Sequence, residues 1–224
     1  MKKIADIVED GIRKMPFIEE AMTANLINYS SLARLLQPYV SKVLMKQATE
    51  ASILMALKRR STMGANALNM NPKNFRDHIG DIFVRSGLST FTYANSPTLT
   101  ENQTRLLHEV QSLPDTYCSF TQGMYERTLI VSENIVDRVN RIFVNEQFVT
   151  GNSQLSSATV MLKASNVRAY GLYYYIFKMI AWYGITVIEV VSTSNEFSIV
   201  VEQASINDAF SVLMKIKMDD DELV

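Results

Sequence analysis

The segment SNVRAYGLYYYIFKMIAWYGITVIEVVSTSNEFSIVVEQASINDAFSVLMKI, Ser165 to Ile216, alternates between helical and strand-like hydrophobic periods, and that alternation decides the fold. Tyr170 to Tyr183 reads as a helix and Thr186 to Ser194 as a strand. A tight turn at Asn195 leads into a second strand, Glu196 to Glu202, and a helix from Ile206 to Ile216 begins after Ser205. Ala158 to Ala164 is the strand that precedes this set.

Upstream the same order occurs once more. Asp81 to Tyr93 alternates Ile82, Val84, Leu88, Phe91 and Tyr93 with polar neighbours, then Pro97, Thr98 and Thr100 lead into a helix, Glu101 to Leu113. Tyr117 to Gln122 and Arg127 to Ser132 are strands around Gly123. Asn134 to Phe143 is a helix with Ile135, Val136, Val139, Ile142 and Phe143 on one side. Gln147 to Leu155 is expected to be the fourth strand of this copy and the connection to the next. The repeat predicts an α+β chain: two ferredoxin-like βαββαβ units packed side by side, helices on one face of an antiparallel sheet, behind a small helical domain.

Within the quoted segment, Gly171 stands at a strand-to-helix turn and Ile176 to Ile180 form a hydrophobic helix. Gly184 precedes Ile185, and Ser192 to Asn195 form a Ser/Thr-rich turn. Ser198 to Val201 make an apolar strand, and Asp208 to Leu213 place an alanine and a leucine on the last helix. This pattern resembles an ACT domain of the aspartokinase type. Asp81 to Phe143 is similar to a second, degenerate ACT unit, with Ser96, Pro97 and Thr98 where the turn glycine would be.

The resemblance implies a regulatory protein rather than an enzyme, binding a small ligand, an amino acid above all, at ACT-domain interfaces: at the turn between first strand and first helix and along a neighbouring domain's edge. It also implies pairing into a homodimer. No kinase is expected, because nothing before Phe75 has the lysine and glycine-rich phosphate loop that opens an aspartokinase catalytic domain. The chain departs from the family at Tyr170, which replaces the usual proline before the turn glycine.

N–H groups at a helix start attract a carboxylate. Asn166, Val167, Arg168, Ala169, Tyr170 and Gly171 would supply them, with Arg168 as a second anion contact. Thr193, Ser194 and Asn195 would meet the ligand's ammonium or side chain. The plainer reading is that Gly171 lets the helix pack closely and that the Ser, Thr and Asn residues only make a hairpin turn.

Before this lies a helical region. Lys3 to Met15 has Ile4, Ile7, Val8, Ile12 and Met15 at helical spacing, and Pro16 opens a second helix over Phe17 to Leu26. Asn28 to Ser31 supply capping groups for a helix through Leu32, Leu36, Tyr39 and Val43, which Pro38 is expected to bend or to end at its first half. A further helix runs from Ala48 to Arg60. Met63 to Asn74 is rich in Gly and Asn and reads as a linker. The expected domains are therefore 1–74, 75–155 and 156–218, with 219–224 as an acidic tail.

Charge divides the chain as well. Met1 to Phe75 holds 11 basic and 6 acidic residues, a balance of +5, while the remainder holds 11 and 17, a balance of −6. A basic helical third suits a polyanion. The spacing from Ser30 to Arg60 resembles a helix-turn-helix, in which Gln47, Thr49 and Ser52 would face base edges and Lys42, Lys46, Lys58, Arg59 and Arg60 would meet phosphates. DNA is thus an expected partner of the helical module, with a metabolic enzyme docking on the chain as the alternative. Equally simply, Lys58 to Arg60 end a helix whose macrodipole favours positive charge there.

Composition sets the remaining bounds. At 224 residues, 47% hydrophobic and 20% charged, the chain can bury its own core without disulfides or metals. A single cysteine, Cys118, and an N-terminus broken by Asp6, Glu9, Asp10 and Arg13 lead to the expectation of a reducing, cytoplasmic location. Gly171 to Ile188 carries Lys178, Gly184 and Thr186 and is not expected to span a membrane. His78 and His108 lack ligands at metal spacing, so neither metal nor cofactor is expected. The aromatics from Tyr170 to Tyr183 fall all round one helix and are expected to serve packing between units rather than base stacking.

Overall fold

In the computed structural model, which describes residues 3–15, 18, 21–22, 26–62, 78–163 and 171–218, the change from helical period to period two coincides with a change of architecture. The chain forms two compact units, Met1–Met70 and Asn71–Val224. The first is helical. Its described helices are α1 (Ile4–Arg13), α2 (Tyr29–Leu44) and α3 (Glu50–Thr62). Ile7, Val8 and Ile12 of α1 meet Leu32, Leu36 and Val40 of α2 and Ile53 and Leu57 of α3 in one buried cluster.

Gly11 sits where a Cβ would come within 3.0 Å of Leu36 Cδ2, so its lack of a side chain sets the approach of α1 to α2. The Asn28 side chain caps α2, accepting from the N–H groups of Ser30 and Ser31 at 3.1 Å each. Of the two outcomes expected at Pro38, a bend or an end, the end does not occur: α2 runs through Pro38 to Leu44. An interior proline costs about 3 kcal/mol, and here α2 packs on both other helices, which offsets that cost. α3 starts two residues later than expected, because Ala48 is fastened in the preceding turn. Its N–H donates to Ser41 Oγ at 3.0 Å and its carbonyl accepts from Gln37 Nε2 at 2.8 Å.

The second unit is built on one antiparallel sheet. In chain order it runs β1 (Ile79–Ala94), α4 (Leu99–Val110), β2 (Cys118–Gln122), β3 (Glu126–Ser132) and α5 (Val136–Ile142). It continues with β4 (Phe148–Leu162), α6 (Leu172–Trp182), β5 (Glu189–Ser192), β6 (Glu196–Glu202) and α7 (Ile206–Met218). The six strands lie in the order β2-β3-β1-β4-β6-β5.

The expected strands Gln147 to Leu155 and Ala158 to Ala164 are a single strand, β4. Leu155 and Ser156, taken from the sequence as the edge between two copies, are consecutive residues within it. β4 pairs along its length with β1, and its second half pairs also with β6. Gly151, Asn152 and Ser153 look like a connection in sequence, but here they form the bulged middle of a long strand. Gln154 takes a left-handed φ of 55° there, and Gly87 takes 69° at the facing irregularity in β1.

At Gly151 the strands approach so closely that a Cβ would lie 2.7 Å from the carbonyl oxygen of Thr90. Gly151→Ala is therefore expected to cost about 1–3 kcal/mol by overpacking against backbone, read as a lower urea midpoint at unchanged m value.

Alternation along the strands separates two faces. Phe91 and Tyr93 with Leu129 and Val131 pack under α4 and α5, burying Leu99, Leu106, Val139 and Phe143. Tyr173 and Phe177 of α6 meet Phe197 of β6, with ring centroids 4.7 and 5.7 Å apart. The register places both groups on the same face, because Leu88 opposes Leu155 and each lies three residues from a partner on the other side. The opposite face has a small core of Leu88, Ile130, Leu155 and Val200. Around it lie hydroxyl pairs, Thr92 with Thr128 at 2.9 Å and Thr159 with Ser198 at 2.7 Å.

Candidate ligand site

Two helix starts in the sheet unit correspond to the turns singled out in the sequence. At the second, Gly171 has φ 89° and ψ −4°, a left-handed conformation that disfavours any side chain, and its carbonyl accepts the first helical bond from Tyr175 N–H at 2.9 Å. Asn166, Val167, Arg168, Ala169 and Tyr170 lie outside the described residues. Two residues into α6, the Tyr173 hydroxyl is hydrogen-bonded to Ser192 Oγ at 3.1 Å. That contact brings the start of α6 beside the β5–β6 turn.

Within that turn the side chains serve the hairpin. Thr193 Oγ1 accepts from the N–H groups of Asn195 and Glu196 at 3.4 and 3.2 Å, and the Asn195 carbonyl accepts from Leu162 N–H at 2.6 Å. Ser194 is exposed. The structure thus sets Tyr173, near the start of α6, against Ser192 at the head of that turn, while committing the Thr193 hydroxyl to local structure.

The first helix start is filled from within the chain. Glu146, on the short connection from α5 to β4, is buried with its carboxylate against the turn before α4. Its Oε2 accepts from Ser96 Oγ at 2.5 Å, and its Oε1 accepts from Thr98 Oγ1 at 2.7 Å and Asn102 Nδ2 at 2.6 Å. Burial pushes this carboxyl up, but the three hydrogen bonds and the Arg127 charge outweigh it and hold it below the usual range.

Arg127 is itself only 4% exposed. It donates to Gln103 Oε1 and Gln122 Oε1 at 2.6 Å each and to Thr100 Oγ1 at 3.3 Å. Asn95 ties this turn to the β2–β3 turn, its Nδ2 donating to the carbonyls of Gly123 and Met124 at 3.1 Å each.

Sequence reading did not find Glu146 or Arg127. The signal was present for one of them: Arg127 opposes Tyr93 and shares the core face with Leu129 and Val131, and a cation in that register needs buried partners. Glu146 gives no such sign, lying in a connection between elements.

The Cys118 thiol is pushed up to about 11 by burial, which suits a half-buried core residue and keeps it protonated at neutral pH. Among the described residues no three His, Cys, Asp or Glu side chains converge to hold a metal. Nor is any described helix long and apolar enough to cross a membrane. A cavity of about 550 Å³ opens at the β4 bulge, lined in part by Asn152, Gln154, Leu155, Ile188 and Glu202.

In the helical unit, Lys42, Lys46, Gln47, Thr49, Lys58 and Arg59 are exposed, spread over the end of α2, the following turn and α3. Ser52 and Thr49 bond to each other at the helix start, Ser52 N–H donating to Thr49 Oγ1 at 3.3 Å and Ser52 Oγ donating to the Thr49 carbonyl at 2.7 Å. Arg60 lies 3.4 Å from Glu9 Oε1 of α1.

No family model matches the chain, and no curated protein does. Solved structures do resemble it. The ligand-free regulatory subunit of aspartate kinase from Thermus thermophilus is similar over 62% of this chain and 98% of its own, at 7% identity and a TM-score of 0.51. Aspartate kinase from Clostridium acetobutylicum is similar over 62% of this chain at 9% identity and a TM-score of 0.52, and there the match spans only 35% of the enzyme. A structure of aspartokinase α and β subunits matches 62% of this chain and 97% of its own, at 13% identity and a TM-score of 0.50. The likeness shows the fold: the chain has the ACT-like α+β architecture of aspartokinase regulatory domains.

Proposed function

We propose that this chain is a ligand-responsive regulatory protein, in which two ACT-like halves, β1 to α5 and β4 to α7, share one sheet and the second half binds a small amino acid. The observation that carries the reading is the Tyr173–Ser192 hydrogen bond. It joins a left-handed helix start to a hairpin turn in a fold shared with regulatory subunits. The ligand carboxylate is assigned to Arg168 and to the N–H groups of Asn166 to Gly171, and its ammonium or side chain to Ser194 and Asn195. Two copies pair as a homodimer. Occupancy is passed to the helical unit with a coupling of about 1–3 kcal/mol, the usual range for allosteric pairs.

Thermal melting against each of the twenty amino acids tests this. One of them is expected to raise the midpoint by a few degrees at saturation, and Gly171→Ala is expected to abolish that rise. A midpoint unmoved by all twenty discards the reading.

The helical unit is assigned to DNA through its exposed Lys42, Lys46, Gln47, Lys58 and Arg59. Affinity for a DNA duplex should then fall steeply between 50 and 200 mM salt, by roughly tenfold or more for even a few phosphate contacts. Salt-insensitive capture by a protein partner, with no affinity for DNA, would replace that assignment with docking on an enzyme.

A further inference from the structure

We infer that the turn before α4 is a carboxylate-binding site occupied in cis: Glu146 is its resident anion, and deleting that side chain opens a cavity that takes a small free carboxylate. This concerns the first half of the sheet unit and stands apart from ligand binding in the second.

The cradle is built from side chains far from Glu146 in sequence. Ser96, Thr98 and Asn102 supply three donors to its two oxygens, at 2.5, 2.7 and 2.6 Å. Ser96 Oγ also accepts from Leu99 N–H at 3.1 Å, which fixes its rotamer at the helix start. Each carboxylate oxygen therefore has a charge-assisted partner, the arrangement a free carboxylate requires.

Besides those bonds, the charge of a buried cation, Arg127, acts on the Glu146 carboxylate without pairing with it directly. Arg127 is 4% exposed, its Nε has no hydrogen-bond partner among the described residues, and its other guanidinium nitrogens donate to the neutral side chains of Gln103, Gln122 and Thr100. A guanidinium desolvated among neutral acceptors is stabilised further by a nearby anion. Glu146 provides that anion, and its position next to the exposed Val144 and Asn145 means that the space it fills lies near solvent.

The competing explanation is that Glu146 is only a staple, holding the α5–β4 connection against α4. Acetate separates the two, because Glu146→Ala removes a CH2 and a carboxylate, the atoms that acetate returns. Melting of the full chain is measured for wild type, Glu146→Ala and Glu146→Gln in sodium acetate and in sodium chloride at equal ionic strength.

Acetate at tenfold its Kd is expected to raise the Glu146→Ala midpoint by roughly 3–5 °C over chloride, saturably. Wild type and Glu146→Gln, whose side chains fill the space, should not respond. If Glu146→Ala is unfolded in chloride, recovery of its cooperative transition in acetate supports the site. No gain over chloride, an equal gain in all three proteins, or failure to recover overturns it. The result does not depend on whether wild type binds any amino acid, so this inference and the proposed function can fail separately.

Discussion

Replacing Phe197 with alanine is expected to destabilise the sheet unit by about 3–5 kcal/mol, the range for deleting a buried aromatic ring. Phe197 is 2% exposed and packs against α6, stacked by Tyr173 at 4.7 Å and met edge-on by Phe177 at 5.7 Å. Tyr173 cannot collapse into the space without giving up the bond of its hydroxyl to Ser192. A second effect follows from the same geometry. Loosening Tyr173 frees the start of α6, so any amino-acid response of the melting curve should weaken along with stability. Urea unfolding checks the first part, and a loss under 1 kcal/mol would show that α6 is held elsewhere. Leu106→Ala, under α4, serves as the comparison: it should cost about 2–5 kcal/mol and leave the ligand response in place.

That helices and strands were legible in this chain follows from how cleanly its period changes. β6 begins at Glu196 and ends at Glu202 as read, because the run between these two charges is buried on both faces, Phe197, Ile199 and Val201 on one and Ser198 and Val200 on the other. The long strand β4 was not legible as one piece. Gly151, Asn152, Ser153 and Gln154 carry turn chemistry, and only the pairing with Thr90, whose hydroxyl accepts from Asn152 N–H at 3.2 Å, makes them strand. Pairing of that kind is non-local and leaves no mark on the local pattern. At Pro38 the local signal left a bend or an end open, and burial of Leu36 and Val40 on either side keeps the helix running through it.

For the candidate sites the division is different. Gly171 was legible because a left-handed helix start needs glycine at that position whatever surrounds it. Ser96, Pro97 and Thr98 read as a degraded version of the same turn, for want of that glycine. The structure gives them another task. Their hydroxyls point to a carboxylate that enters from Glu146, roughly fifty residues on, and no spacing rule connects residues so far apart. Tyr93 shows the consequence at its own ring, its hydroxyl pushed up to about 12 by burial and by the Glu146 charge.

The second large effect is expected at Arg127. Arg127→Met should cost about 1–3 kcal/mol, because it leaves the buried acceptors of Gln103 and Gln122 without their donor and removes a charge that helps to hold Glu146 ionised. The sign of the pH dependence is fixed by the same network. The folded Glu146 carboxyl lies below its ordinary value of 4.5, so its ionised form adds stability that is present above that value and lost as pH falls through the lower, folded one. With Arg127 removed, that acid-side loss should shrink, since one of the influences holding the carboxyl down is gone. Adding Glu146→Gln to Arg127→Met should then cost less than it does in wild type, because it removes a buried charge that no longer has its cation. Urea unfolding of the two single variants and the double variant, at pH 7 and near pH 4, forms a complete cycle. A coupling energy near zero at pH 7 would mean that Arg127 and Glu146 stabilise the α4 turn independently, each through its own neutral partners.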